Sequence, residues 1–277
     1  MKKSKVIFVL LLIAGSSVMA QVRVKKHTLL RHFRKNTTDS LVQELIYDQQ
    51  NRVVTIKKHK TEYGDNSVEV KYDSKNKPVT ATDNTGKALY TFKFDKEGNL
   101  TAYDAFVSTD KLSDIRYKDK KITAFKLNGS GGTSSTYELT YDGDGKLVSA
   151  KSNKSTHPYV FTYENGLLMR IQYGGLSGSV YDKEIERYEL TWENKQLKKV
   201  ELFRQSAFDW SREIEYDAQG NITAERVKSA EKSTTPHMET YIEYEPGEGN
   251  DDIFFSLYDW KNTIFLREPA YTIKLGW

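Results

Sequence analysis

From Tyr90 to Asp95 the chain alternates strictly: Tyr90, Phe92 and Phe94 fall on one side, Thr91, Lys93 and Asp95 on the other. A period of two with one apolar side predicts a strand with one face buried and one in water. The same alternation runs through Tyr137–Tyr141, Tyr159–Tyr163 and Tyr188–Trp192, and every run ends on an aromatic residue followed by a polar turn. Nine such anchors mark the chain: Tyr47, Tyr72, Phe94, Tyr117, Tyr141, Tyr163, Trp192, Tyr216 and Tyr244, spaced 22 to 29 residues apart. That period is too short for a strand, a crossover helix and a second strand, but it fits two strands and two turns. The pattern therefore predicts a series of antiparallel hairpins.

The turns after the anchors support this. Asp95-Lys96-Glu97-Gly98-Asn99, Asp142-Gly143-Asp144-Gly145-Lys146 and Asp217-Ala218-Gln219-Gly220-Asn221 each combine an Asp that can bond its own backbone with a Gly that accepts positive φ. Asn51, Asn76 and Asn165 or Gly166 stand at comparable positions. The outgoing strands, such as Leu100–Tyr103, Ile122–Phe125 and Leu147–Ala150, carry smaller side chains. Links at the opposite hairpin ends are longer and less regular: Gly64–Asn66, Asn128–Ser135, Gly174–Lys183 and Ser229–His237. One rim should thus be short and uniform and the other variable, the variable one being the better place to bind something. Roughly eighteen strands at ~4.8 Å each would make a flat sheet roughly 85 Å wide, with no helix to cover it. The expected fold is all-β: consecutive antiparallel hairpin repeats in one large, strongly curled or layered sheet, possibly closed.

The ends depart from the repeat. Lys2, Lys3 and Lys5 precede the apolar run Val6–Ala14, and Val18-Met19-Ala20 supplies small residues for cleavage, so residues 1–20 read as an export signal. Residues 21–40 are basic and irregular and are expected as an edge segment, residues 41–250 as the hairpin-repeat domain, and residues 251–277 as an atypical cap with a final strand. No stretch after the signal approaches the ~20 apolar residues of a membrane helix. Loss of three signal lysines lowers the formal charge from +4 to about +1, which gives no electrostatic case for nucleic acid. The absence of cysteine excludes disulfide staples, leaving 18 Tyr, 12 Phe and 4 Trp to supply the buried face.

Candidate chemistry is sparse. His27, His32, His59, His157 and His237 form no close ligand spacing, Asp142 and Asp144 have a turn role, and Gly175-Leu176-Ser177-Gly178 lacks the nucleophile-elbow pattern. No cofactor is expected, and the chain reads as non-enzymatic. Aromatic side chains in less regular segments can stack on sugar rings or peptides. Tyr63, Tyr173, Tyr181, Phe208, Trp210 and Trp260 are the candidate ligand platform, with Arg204 and Arg212 as polar contacts.

Tyr141-Asp142-Gly143-Asp144-Gly145-Lys146-Leu147 and Tyr216-Asp217-Ala218-Gln219-Gly220-Asn221-Ile222 resemble the YD repeat of RHS-type secreted proteins, with Phe94–Leu100 and Tyr47–Val53 as looser copies. The likeness extends to small exported YD-repeat proteins of Bacteroides-type bacteria. It implies a long coiled sheet, which in the large members forms a hollow shell. The resulting expectation is an exported periplasmic, surface or extracellular protein that binds a glycan, a peptide or another envelope protein, or serves a structural role in the envelope. The alternative is an outer-membrane β-barrel, and after it a secreted carbohydrate-active enzyme. An even strand count, with short turns on one rim and long links on the other, suits a membrane barrel. Strands of six to eight residues, and Lys57-Lys58 and Lys198-Lys199 in otherwise lipid-facing rows, count against it.

Overall fold

A computed structural model describes residues 22–32, 38–60, 64–105, 111–128, 132–175, 183–229 and 236–247. The expected signal, the C-terminal cap and its final strand lie outside the described residues. Among the described residues there are eighteen strands: β1 (Val22–His32), β2 (Thr38–Tyr47), β3 (Val53–Lys60), β4 (Gly64–Tyr72), β5 (Pro78–Asp83), β6 (Ala88–Phe94), β7 (Leu100–Ala105), β8 (Lys111–Lys118) and β9 (Lys121–Asn128) form the first half. The second half comprises β10 (Ser134–Tyr141), β11 (Leu147–Ser152), β12 (Pro158–Glu164), β13 (Leu167–Gly174), β14 (Glu184–Glu193), β15 (Gln196–Arg204), β16 (Ala207–Tyr216), β17 (Ile222–Lys228) and β18 (Met238–Pro246). Every strand pairs with its sequence neighbours, and β18 pairs antiparallel with β1 over Val22↔Pro246 to Arg31↔Met238. The hairpin series therefore closes into a barrel.

Closure corrects two expectations. Within the segment 21–40, β1 is not an edge strand, because it bonds β2 on one side and β18 on the other. Nor is the sheet the open coil implied by the YD-repeat resemblance: joining first strand to last leaves no growing edge among the described strands. The shared turn motif reflects hairpin chemistry, which any closed array of hairpins also needs. A smaller correction concerns Gly64-Asp65-Asn66, which opens β4 instead of forming a link.

Each anchor lies at or within two residues of its strand's end, all at one end of the barrel, and the turns that follow the first eight come from local chemistry. In Asp48–Arg52 the Asp48 N–H donates to the Arg52 carbonyl (3.0 Å), while its Oδ1 accepts from the N–H groups of Gln50 (2.9 Å) and Arg52 (3.0 Å). Asn51 there has φ 58°, and Asn76, Gly98, Gly145 and Gly220 occupy the same step with φ of 61°, 85°, 82° and 87°. Three other turns use two residues of positive φ, Asp119-Lys120, Asn165-Gly166 and Asn194-Lys195, the form that matches strand twist. A register shift accompanies the anchor in each of these eight hairpins, as between Ile46 and Tyr47 or Thr140 and Tyr141. The extra residue turns the anchor ring along the wall toward the preceding hairpin.

What the rings meet there forms a belt. Tyr72 donates its hydroxyl to the Val53 carbonyl (2.8 Å), and Val53 is the cross-strand partner of Tyr47. Tyr117 bonds Leu100 (3.0 Å), Tyr141 Ile122 (2.8 Å), Tyr163 Leu147 (3.1 Å), Tyr216 Leu197 (2.8 Å) and Tyr244 Ile222 (2.9 Å), and the Trp192 indole N–H bonds Leu168 (2.8 Å). Every acceptor is the partner of the anchor before it. Tyr47 completes the circuit by donating to Val24 (2.7 Å), which pairs with Tyr244 across the β18–β1 seam. Only Phe94, lacking a hydroxyl, makes no such bond; its place in the series corresponds to the carbonyl of Pro78, the partner of Tyr72.

All nine anchors pack on one apolar cluster that draws a buried residue from every strand, among them Val53, Ile56 and Phe125 at 0% exposure. The outer wall is polar. Lys26–Glu243 (2.9 Å), Arg170–Glu189 (3.2 Å) and Lys228–Glu213 (2.9 Å) pair across neighbouring strands, and Arg226 bridges Glu215 and Glu239. Among the described residues the exposed large apolar side chains are Ile46 and Ile185. Apolar side chains thus face inward and charged ones outward.

Candidate ligand site at the long-link end

Away from the belt, the inward positions change character from hairpin to hairpin. Four residues before the anchor, the inner face carries Tyr137, Tyr159 and Tyr188 in three consecutive hairpins, then Arg212, Thr240 and Gln43. On the tyrosine side, Tyr159 pairs with Tyr173, Tyr173 with Glu186, and Glu186 with Arg204, so these four form one row across β12–β15. The row ends where these strands end, at the mouth opposite the belt. Tyr159 and Tyr173 stack with centroids 4.7 Å apart and planes 20° from parallel. The Tyr173 hydroxyl shares a hydrogen bond with Ser155 Oγ (2.6 Å), and His157 meets the ring edge-on. One step deeper, Tyr188 meets Trp210 at 6.3 Å, edge to face.

Electrostatics follow from this placement. Burial pushes the Tyr159 and Tyr188 phenols well above their ordinary range, and the nearby Glu186 carboxylate pushes in the same direction. They therefore stay neutral and able to donate. Tyr159, Tyr173, Tyr188, Glu186 and Trp210 are all half-buried. A surface of partly uncovered rings beside one carboxylate and one guanidinium can stack on a flat apolar face and pair with hydroxyls.

Beneath Trp210 the chemistry is sealed. Arg212 and Glu225 are 1% and 2% exposed, with Nη1 and Oε2 3.7 Å apart. Burial raises the Glu225 carboxyl above its usual range, although Arg212 pulls the other way. Near the seam, the row His27–Gln43–Lys58 crosses β1, β2 and β3. Burial lowers the His27 imidazole to about 4, against a hydrogen bond with Gln43 that raises it, and burial also lowers Lys58. Among the described residues, no group of acidic, His or Cys side chains could hold a metal.

The expected platform residues divide. Tyr173, Arg204 and Trp210 share the inner mouth; Arg212 lies below it, buried, not at a rim. Phe208 faces the other way: Leu202 pairs with Trp210 and Phe203 with Phe208, leaving Asp209 as the extra residue, bonded to Arg204 at 2.9 Å. That bulge within β16 puts Phe208 and Trp210 on opposite faces although they stand two residues apart. Outside, Phe208 meets Phe203 edge-on at 5.9 Å, with the Arg187 guanidinium 4.4 Å from the Phe203 ring. Tyr63, Tyr181 and Trp260 lie outside the described residues. Reading the strands for packing missed Tyr159, Tyr188 and Glu186. The signal was the recurrence of Tyr at the fourth position before an anchor in three consecutive hairpins, where the flanking hairpins carry Ser113 and Arg212.

No family model matches the chain, and neither does any curated protein. Among solved structures it is similar to a porin-like protein from Bacteroides uniformis, at 10% identity and a TM-score of 0.41, over 80% of this chain and 98% of that one. It is also similar to part of TcdB2-TccC3-TEV, at 9% identity and a TM-score of 0.37, covering 72% of this chain and 13% of that one. Likenesses this distant carry no function across. With closure, and with a match so weak and partial, the expected membership of the RHS-type YD-repeat family is overturned.

Proposed function

We propose that the chain is an exported, non-enzymatic β-barrel of the cell envelope that binds a glycan at its long-link mouth, with its outer wall in water. One observation carries the binding reading: the inner-face row Tyr159–Tyr173–Glu186–Arg204, backed by Tyr188 and Trp210, gathers half-exposed rings and hydrogen-bonding groups on adjacent strands. The apolar face of a sugar ring suits such a stack, and its hydroxyls suit the carboxylate and guanidinium. The basic, apolar and small-residue order of residues 1–20 supports export.

Glycan-array screening of the purified mature chain, followed by calorimetric titration of the best hit, tests this. Tyr173→Ala and Trp210→Ala should each weaken the hit at least tenfold, which is about 1.4 kcal/mol or more. Absence of any glycan ligand, or unaltered affinity in both variants, would sink the reading.

The outer-membrane alternative draws support from closure, the even strand number and the short turns confined to one end. Insertion would place the outer ion pairs in lipid, where each Lys or Arg near the midplane costs about 2–4 kcal/mol. Cell fractionation separates the two: recovery without detergent supports a water-facing wall, and heat-modifiable mobility confined to detergent extracts supports the membrane barrel.

A further inference from the structure

Eight of the nine anchors close the space between adjacent short turns with a ring-to-carbonyl bond, and at five of those eight a cation from the neighbouring hairpin stacks on the ring, as Arg52 does over Tyr72 at 4.6 Å. The exception is Phe94. Between its turn and the preceding one lies a cleft of about 530 Å³, lined by the aromatic wall of Phe92 and Phe94 and by Lys75, Lys77, Lys93 and Lys96. The two aspartates of that lining are occupied by their own turns. Asp73 Oδ1 accepts the N–H groups of Lys75 (2.8 Å) and Lys77 (2.9 Å), and Asp95 accepts the Asn99 N–H (2.8 Å) and side-chain amide (3.0 Å). Lys96 leans on Glu97 at 3.4 Å, in water, whereas the Lys77 ammonium arches over Phe94 at 5.6 Å.

We propose that this cleft is an oxyanion site, taking a phosphate-type group between Lys75, Lys77 and Lys93 with the Phe94 ring as its floor. At this place the ring-to-carbonyl bond of the other anchors is missing. A Tyr here would reach toward the Pro78 carbonyl, as its counterparts reach theirs, and narrow the cleft from that side. Lysine ammoniums serve as point charges for phosphate. The site is at the opposite end of the barrel from the glycan mouth and does not depend on it.

Calorimetric titration of the mature chain with inorganic phosphate tests the site, alongside co-sedimentation with phosphatidylglycerol and with phosphatidylcholine vesicles. Wild-type protein should bind phosphate, the Lys75→Gln/Lys77→Gln variant at least tenfold more weakly, and Phe94→Tyr at least threefold more weakly. Lys118→Gln/Lys120→Gln, at another short turn, should bind as wild type does. Capture by phosphatidylglycerol vesicles that is lost in Lys75→Gln/Lys77→Gln would make a lipid headgroup the source of the phosphate; phosphate binding without vesicle capture would make it a soluble ion. The proposal fails if the wild-type chain binds neither probe. It fails equally if binding to whichever probe the wild type takes survives Lys75→Gln/Lys77→Gln within twofold, or falls as far in Lys118→Gln/Lys120→Gln.

Discussion

The two ends of the barrel are built from the same hairpins yet solve different problems. At the short-turn end nearly every unit repeats one arrangement: Asp, Asn or Gly in the turn, a bulge, and an aromatic ring bonded to the preceding unit. Toward the long-link end the inner positions differ from unit to unit, with tyrosines on β10, β12 and β14 and the buried Arg212 on β16 and Gln43 on β2. Uniform geometry at one rim holds neighbouring hairpins in register. Because register is secured there, side chains at the other rim are free to differ without loss of the fold.

The largest test of this division concerns Arg212, which shares the anchor-minus-four row with the mouth tyrosines but faces a buried carboxylate. Arg212→Leu should destabilise by about 3–5 kcal/mol, because it strands Glu225 as an unpaired buried charge. Arg212→Leu/Glu225→Leu should recover most of that loss in denaturant titrations. Were Arg212→Leu neutral to stability but damaging to glycan binding, Arg212 would belong with the mouth.

The seam gives the next largest effect. The folded His27 imidazole sits at about 4, below its ordinary 6.5, so the unfolded chain takes up the proton first as pH falls. Its contribution is therefore complete above pH 6.5, is lost progressively down to pH 4, and amounts to roughly 3 kcal/mol at most. Melting temperatures of wild type and His27→Gln across that window should converge toward low pH. Parallel curves would remove His27 from the account. The depressed carboxyls of Asp83, through its Thr85 hydroxyl bond, and Asp95, through Asn99, titrate lower still and are not expected to shape this window.

Cutting one belt bond is a smaller change. Tyr141→Phe removes the hydroxyl bonded to Ile122 and should cost about 1 kcal/mol in chemical denaturation, with glycan affinity unchanged. Smallest of all, Phe94→Tyr supplies the missing member and should gain about 0.5 kcal/mol, within the range of a net hydrogen bond. A loss on Phe94→Tyr would show that the break is packed too tightly for a hydroxyl.

The belt end was largely legible in the chain. Anchor spacing, Asp-to-Gly turns and period-two strands depend on contacts within some thirty residues, which is the reach of local chemistry. Closure was one of several outcomes the chain left open, since pairing Val24 with Tyr244 spans nearly the whole repeat and leaves no local mark. The mouth was only partly readable. Tyr173, Arg204 and Trp210 do converge there, but Tyr159 and Tyr188 lie on the apolar side of clean strands and look like packing residues. Phe208 misled because a bulge reverses the face to which alternation would assign it.

The circuit of tyrosyl bonds has a topological consequence. Val22 faces Pro246 at the same height as the eight short turns, so the β18–β1 seam is a ninth turn position lacking only a peptide link. The wall itself does not distinguish that gap from the others. A circular permutant that bridges Pro246 to Val22 and opens the chain at Asn194-Lys195 would keep every described strand pair, and with them the ring.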